Sequence, residues 1–282
     1  MNQQVMLGAP ATLRMQLLDQ DGNPRPALGA ITVTVTRSDG TVLAGGATAT
    51  VNPEGLATVE LTPVDTAELD LLAVTWAETN GAVLSTTVEV IGGYFFSVPE
   101  ARASSVRLRD ETKYPDAEVI AARRAVMESC QRITGRSFVP RFRRLRLNGR
   151  FNDSILLPDY DIRRLRSTAV DGYAADLVLS GSFVRHPGIS LFNYGDNNVD
   201  VAYEYGLDSP PERIKDAALL HLQSLINLTK SGVPDRAEYQ IVEGRIFALN
   251  KLRGGLTGIK DVDNAYLEWA APGRTVASVP TI

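Results

Sequence analysis

The chain has 282 residues, of which 44% are apolar and 22% charged, and its net charge is −4. That balance excludes disorder throughout, and no apolar run approaches the ~20 residues that span a bilayer. The small net charge gives no support to nucleic-acid binding by itself. The first residues, MNQQVMLGAPATLRMQ, lack a basic stretch followed by an apolar core, so no secretory signal is expected. A single cysteine, Cys130, excludes an intrachain disulfide and fits a reducing compartment.

The charge is unevenly placed. Residues 1–93 hold three arginines against ten acidic side chains, a net of −7, while the remainder carries 26 basic and 23 acidic residues. The shift falls at Gly92-Gly93 and predicts a domain boundary there. Within 11–91, Leu13, Met15 and Leu17 alternate with polar neighbours, as do Ile31, Val33 and Val35, then Ala57, Val59 and Leu61, then Leu84, Val88 and Val90. Period-two alternation gives each strand one apolar face. Asp21-Gly22, Asp39-Gly40 and Asn80-Gly81 supply turns. About seven short strands at this spacing predict an all-β, immunoglobulin-like sandwich over 1–93. Asp19-Gln20-Asp21-Gly22 is a turn rather than a calcium loop, because Pro24 and Ala30 occupy the positions where that loop needs glycine and glutamate. Trp76 alternates with Val74 and Leu72 and reads as core.

From 94 to 282 the pattern predicts an α+β domain of helices with a short β-meander. Ser97-Val98-Pro99-Glu100 is a capping box, and Tyr114-Pro115-Asp116 opens a helix whose apolar face carries Val119, Val126, Cys130 and Ile133. Strands recur across 142–205, divided by Asn148-Gly149, Asp171-Gly172 and Gly195-Asp196-Asn197. Ser209-Pro210-Pro211-Glu212 reads as a second capping box, opening a helix striped by Ile214, Ala217, Ala218, Leu222, Leu225 and Ile226 and ended by Gly232 and Pro234. Beyond it, an arm over about 233–282 shows neither period. The run Thr257-Gly258-Ile259-Lys260-Asp261-Val262-Asp263 is expected to order against a partner rather than alone.

Several fragments, in order, resemble the head-to-tail connector (adaptor) proteins of long-tailed phages. They are the helix leading to Cys130, Ser137-Phe138-Val139-Pro140-Arg141, the segment Ile162 to Gly172, and Val201-Ala202-Tyr203-Glu204-Tyr205-Gly206. Pro211 with Ala217 and Ala218 follows, then Pro234-Asp235-Arg236, Glu243-Gly244-Arg245 and the 257–263 run. The resemblance covers roughly two thirds of the chain. It implies a non-enzymatic virion protein in the neck, between capsid and tail, assembled in the host cytoplasm. About twelve copies would close a ring through a head-to-tail contact, meeting the portal protein and tail-completion proteins, with genomic DNA passing through. No membrane contact and no cofactor is implied. The N-terminal sandwich departs from the minimal family pattern and adds an unassigned role, such as a capsid partner.

Ten arginines fall between 132 and 166 against three aspartates, a local net of +7. Contact with the portal or a neighbouring subunit ranks first for them, a solvated strand face second, and DNA third, since tight phosphate binding retards sliding DNA. The interface candidates are Arg141, Arg144, Arg146, Arg164, Arg166, Pro234, Asp235, Arg236, Thr257, Gly258, Ile259 and Asp263. No catalytic or metal site is expected: His186 and His221 lack companions at ligand spacing, and Asp159 with Asp161 reads as turn chemistry. A carbohydrate-binding protein using the sandwich is the rival reading, and a sandwich-bearing hydrolase comes third.

Overall fold

The computed structural model describes residues 3–79, 81, 83–187, 191–230, 239–242, 245–248 and 256–272. Strands predominate, with a few helices. The residues gather into two compact units. One holds Met1–Gly93 with Pro140–Pro158 and Ile162–Tyr205, and the other holds Tyr94–Val139, Asp159–Asp161 and Gly206–Ile282. The strands after Pro140 therefore belong with the N-terminal ones.

In the first unit, the N-terminal strands are β1 (Gln3–Met6), β2 (Ala11–Gln16), β3 (Ile31–Thr36), β4 (Val42–Thr48), β5 (Thr50–Val51), β6 (Leu56–Leu61), β7 (Asp70–Glu78) and β8 (Val83–Ile91). They form a five-stranded sheet, β1-β8-β7-β3-β4, and a three-stranded sheet, β2-β6-β5. Every pair is antiparallel except β1 with β8. Alternation decides what is buried. Leu13 and Met15 from one sheet share a core with Val33, Val35, Val74 and Trp76 from the other. Trp76 is buried, and its indole N–H donates to Thr86 Oγ1 at 3.1 Å, which places it in the core as its alternation predicts. Gly22 and Gly40 sit at φ 83° and 93°, where a side chain is strained. Asn80 lies outside the described residues.

The same unit continues with β9 (Arg141–Gly149), β10 (Ser154–Leu156), β11 (Ile162–Val170), β12 (Tyr173–Ala174), β13 (Val178–Ser180), β14 (Phe183–Arg185) and β15 (Gly195–Tyr205). They make a four-stranded sheet, β12-β11-β15-β9, and a small sheet, β10-β14-β13, all antiparallel. Val199, Val201 and Tyr203 on β15 pack with Leu157, Val184 and Phe192 in a second core. At the start of β9, Gly92 donates its N–H to the Pro140 carbonyl at 2.8 Å, and a side chain at Gly92 would collide with the proline ring.

The second unit is helical: α1 (Val98–Ala103), α2 (Asp116–Thr134), α3 (Glu212–Lys230) and α4 (Lys260–Glu268), with the short strand pair β16 (Tyr239–Val242) and β17 (Arg245–Ala248). The capping box at Ser97 and Glu100 forms as read, and Lys215 adds a 2.6 Å ion pair to the same carboxylate. The second capping box does not. The Pro211 carbonyl takes the first helical N–H groups, from Ile214 and Lys215, so Ser209 stands two residues ahead of the cap. Its proposed stop, Gly232 and Pro234, lies outside the described residues.

The expectation for 257–263 needs correction. The run enters a helix, and Val262, Ala265 and Tyr266 bury its inner face against α2 and α3 of the same chain. Their i, i+3, i+4 spacing is helical, but the helix has only nine residues, too short a window for periodicity to declare itself.

Candidate assembly surface

Pairing register explains where the arginines go. Arg146, Arg144 and Phe142 on β9 stand opposite Asp200, Ala202 and Glu204 on β15, and Glu204 in turn faces Arg164 on β11. One face of this sheet is therefore charged, while Leu145, Val201 and Leu165 turn to the apolar core on the other face. Arg144 grips the Asp200 carboxylate at 2.9 Å, with Arg146 at 3.6 Å from its other oxygen. Arg164 and Arg166 both reach one oxygen of Glu204 at 2.7 Å.

The charged face also meets the N-terminal sheets, within the same unit. Arg166 pairs with Glu68 at 2.5 Å, Arg144 donates to the Ser38 carbonyl at 2.7 Å, and Arg141 pairs with Glu89 on β8. Arg37 lies 3.5 Å from both Glu68 and Asp70. Phe142, Leu69 and Ala202 form a small apolar contact beside these ions. A polar cleft of about 160 Å³ remains between Arg37, Asp70, Arg144 and Arg166.

The electrostatics follow from this geometry. Burial works to raise the Glu204 carboxyl, but the guanidiniums of Arg164 and Arg166 outweigh it and hold the group below the usual carboxylate range. Arg144 is pushed up by its hydrogen bonds to Asp200. Arg141, Arg144, Arg146, Arg164 and Arg166 thus have carboxylate partners inside the unit. This intramolecular role is a fourth, beside the three expected from the sequence. The N-terminal net of −7 complements the local net of +7, though it names no partner, and only Glu68 and Glu89 of the partners come from it.

The remaining candidates lie elsewhere. Thr257, Gly258 and Asp263 form a local knot at the start of α4: the Asp263 carboxylate accepts the Thr257 and Gly258 N–H groups at 2.8 and 3.1 Å and the Thr257 hydroxyl at 2.6 Å. Ile259 is the residue before the first helical turn. These residues belong to the helical unit, the arginines to the other. Pro234, Asp235 and Arg236 lie outside the described residues.

Cys130 is fully buried, its thiol is pushed up by burial, and it is hydrogen-bonded to Tyr266; a nucleophile needs the opposite. His186 packs on the Phe192 ring at 4.6 Å, whereas His221 is buried beside Tyr266. Among the described residues no three His, Cys, Asp or Glu side chains gather as a metal site, and no helix is long and apolar enough to cross a membrane.

No protein-family model matches the chain, and no curated protein matches it. Among solved structures it is similar to a chain in the neck of an empty GTA particle computed with C6 symmetry, at 16% identity and a TM-score of 0.43, covering 66% of this chain and 94% of that one. It is also similar to the ZIG-8–RIG-5 IG1–IG1 heterodimer, at 19% identity and a TM-score of 0.22, covering 31% of this chain and 79% of that one. For the ZIG-8 IG1 homodimer the values are 18% and 0.21, over 31% and 76%.

Proposed function

We propose that the chain is a non-enzymatic structural subunit of a phage-type head-to-tail connector, forming a neck ring that docks under the portal and carries the tail-completion proteins. The observation that carries the reading is the packing, in the helical unit, of segments far apart in sequence, among them the connector-like 137–139 and Gly206. The Ser137 carbonyl takes the Leu207 N–H at 3.2 Å, and Gly206, at φ 97°, presses on the Val139 carbonyl where no side chain fits. The Gly206 N–H goes to Asp161 at 3.0 Å. Phe138 stacks edge-on against Phe95 and Trp269, at 5.9 and 6.1 Å, and the Ala271 N–H reaches Thr134 at 2.7 Å. Segments spread from 134 to 271 thus share one packing site in the helical unit.

The function implied is geometric. An immunoglobulin-like sandwich clamped to a sheet by ion pairs moves as one body with it, and a ring of such bodies transmits position rather than chemistry. Arg146 and Arg164 stay 72% and 64% exposed beside their carboxylate partners, which leaves them open to the portal or a neighbour. Arg146→Glu with Arg164→Glu is expected to lower capture of this chain by immobilised portal protein without changing its circular dichroism. Capture at the wild-type level would remove the arginines from the docking surface. The rival carbohydrate-binding reading needs an exposed Trp76, which is instead core.

A further inference from the structure

Helix α4 buries three apolar side chains in the helical unit, Val262, Ala265 and Tyr266. Tyr266 is the bulkiest, and a hydroxyl buried with it needs partners. It has one on each side. Toward α3, His221 Nδ1 lies 3.4 Å from the Tyr266 oxygen, with the two rings edge-on at 6.1 Å. Toward α2, the Cys130 thiol is hydrogen-bonded to the same hydroxyl. A hydroxyl has one hydrogen to give, so the protonation of His221 decides where it goes. A neutral imidazole offers an acceptor nitrogen and can take it. An imidazolium carries hydrogen on both nitrogens and accepts none, so Tyr266 must turn its hydrogen toward sulfur, a weak acceptor.

The surroundings of His221 also oppose a charge. The residue is 9% exposed, while Cys130 and Tyr266 are wholly buried. Burial is the largest influence on the imidazole and holds it below its ordinary range. Asp263 of α4 pushes the other way, and Arg132 of α2 adds to the effect of burial. The Asp263 carboxylate is already engaged by Thr257 and Gly258. One turn away on α3, Ala217, Ala218, Ser224 and Leu225 carry no charge. Other polar ties from α4 to α3 are slight: Arg213 pairs with Glu268 at 2.8 Å, but the two are 61% and 50% exposed and water screens them. Past the helix, Trp269 rests on Phe138 and the Ala271 N–H reaches Thr134, which tethers the chain there.

We propose that the contact of His221 with Tyr266 is an acid-sensitive latch, and that protonation of His221 releases α4 from α2 and α3 while the rest of the fold stands. A buried base kept neutral contributes its stability in full above about pH 6.5 and loses it as pH falls below that value. The proposal is independent of the connector reading, because it concerns the purified chain alone. Hydrogen exchange of the full chain between about pH 7.5 and 5, corrected for the intrinsic pH dependence of exchange, tests it. Protection at 262–267 is expected to fall by up to about tenfold per pH unit below 6.5, the limit that one proton sets, while β3 and β7 keep theirs. His221→Gln takes up no proton in this range, and its α4 protection is expected to stay level. A second measurement needs no variant: in nuclear magnetic resonance, proton uptake by the His221 ring should accompany the loss of native α4 signals. Level α4 protection in the wild type would overturn the proposal, as would a loss shared by β3 and β7 or repeated in His221→Gln. A ring that titrates while the α4 signals stay native would do the same.

Discussion

Glu204 stands where the sheet meets its own charges. Its side chain is 8% exposed and receives two guanidiniums on one oxygen. Glu204→Gln leaves Arg166 facing Glu68 alone, and the expected cost is about 1 kcal/mol, since Arg164 is largely in solvent and its pairing is screened. Urea unfolding in low and high salt checks this: the difference from wild type should shrink as salt rises. A second residue-scale expectation concerns acid. The Glu100 carboxyl is held down to about 2, from 4.5, by Lys215 first and by the Ser97 N–H and hydroxyl next. A depressed carboxylate contributes stability above its unfolded pKa and loses it as pH falls through the folded one. The melting temperature should therefore decline between pH 4.5 and about 2, and Glu100→Gln should flatten that decline. An unchanged slope in the variant would remove Glu100 from the account.

At the scale of elements, the least legible piece is α4 and the most legible are β3, β7 and α2. Ile31, Val33 and Val35 alternate without interruption, and the α2 face repeats through five turns, so both announce themselves. In α4 only three apolar residues mark the inner face, and its start is fastened by a carboxylate reaching backward from inside the helix, a device with no fixed sequence spacing. Asp263→Ala is expected to destabilise α4 by about 1–2 kcal/mol by freeing the N–H groups of Thr257 and Gly258. Hydrogen exchange should rise at 262–267 while the strands of the other unit keep their protection; uniform exchange across the chain would contradict the local role of the knot. The arginine cluster was legible as a cluster but its partners were not, because Glu68 and Glu89 are about 50 to 100 residues away in sequence. The pairing of β9, β11 and β15 gathers the arginines, and the packing of the first unit brings Glu68 and Glu89 to them.

For the whole molecule, the charge shift at Gly93 is plain in the sequence, whereas the return of the chain to the first unit at Pro140 is not. A sheet added to a sandwich through ion pairs and the small contact of Phe142, Leu69 and Ala202 has no local sequence signature. The central claim, that the chain is a neck-ring subunit, is tested most directly by electron microscopy of the particle it belongs to, with this chain labelled. The account predicts label in a ring of identical copies between portal and tail. Label dispersed over the capsid surface, or absent from the particle, would contradict it.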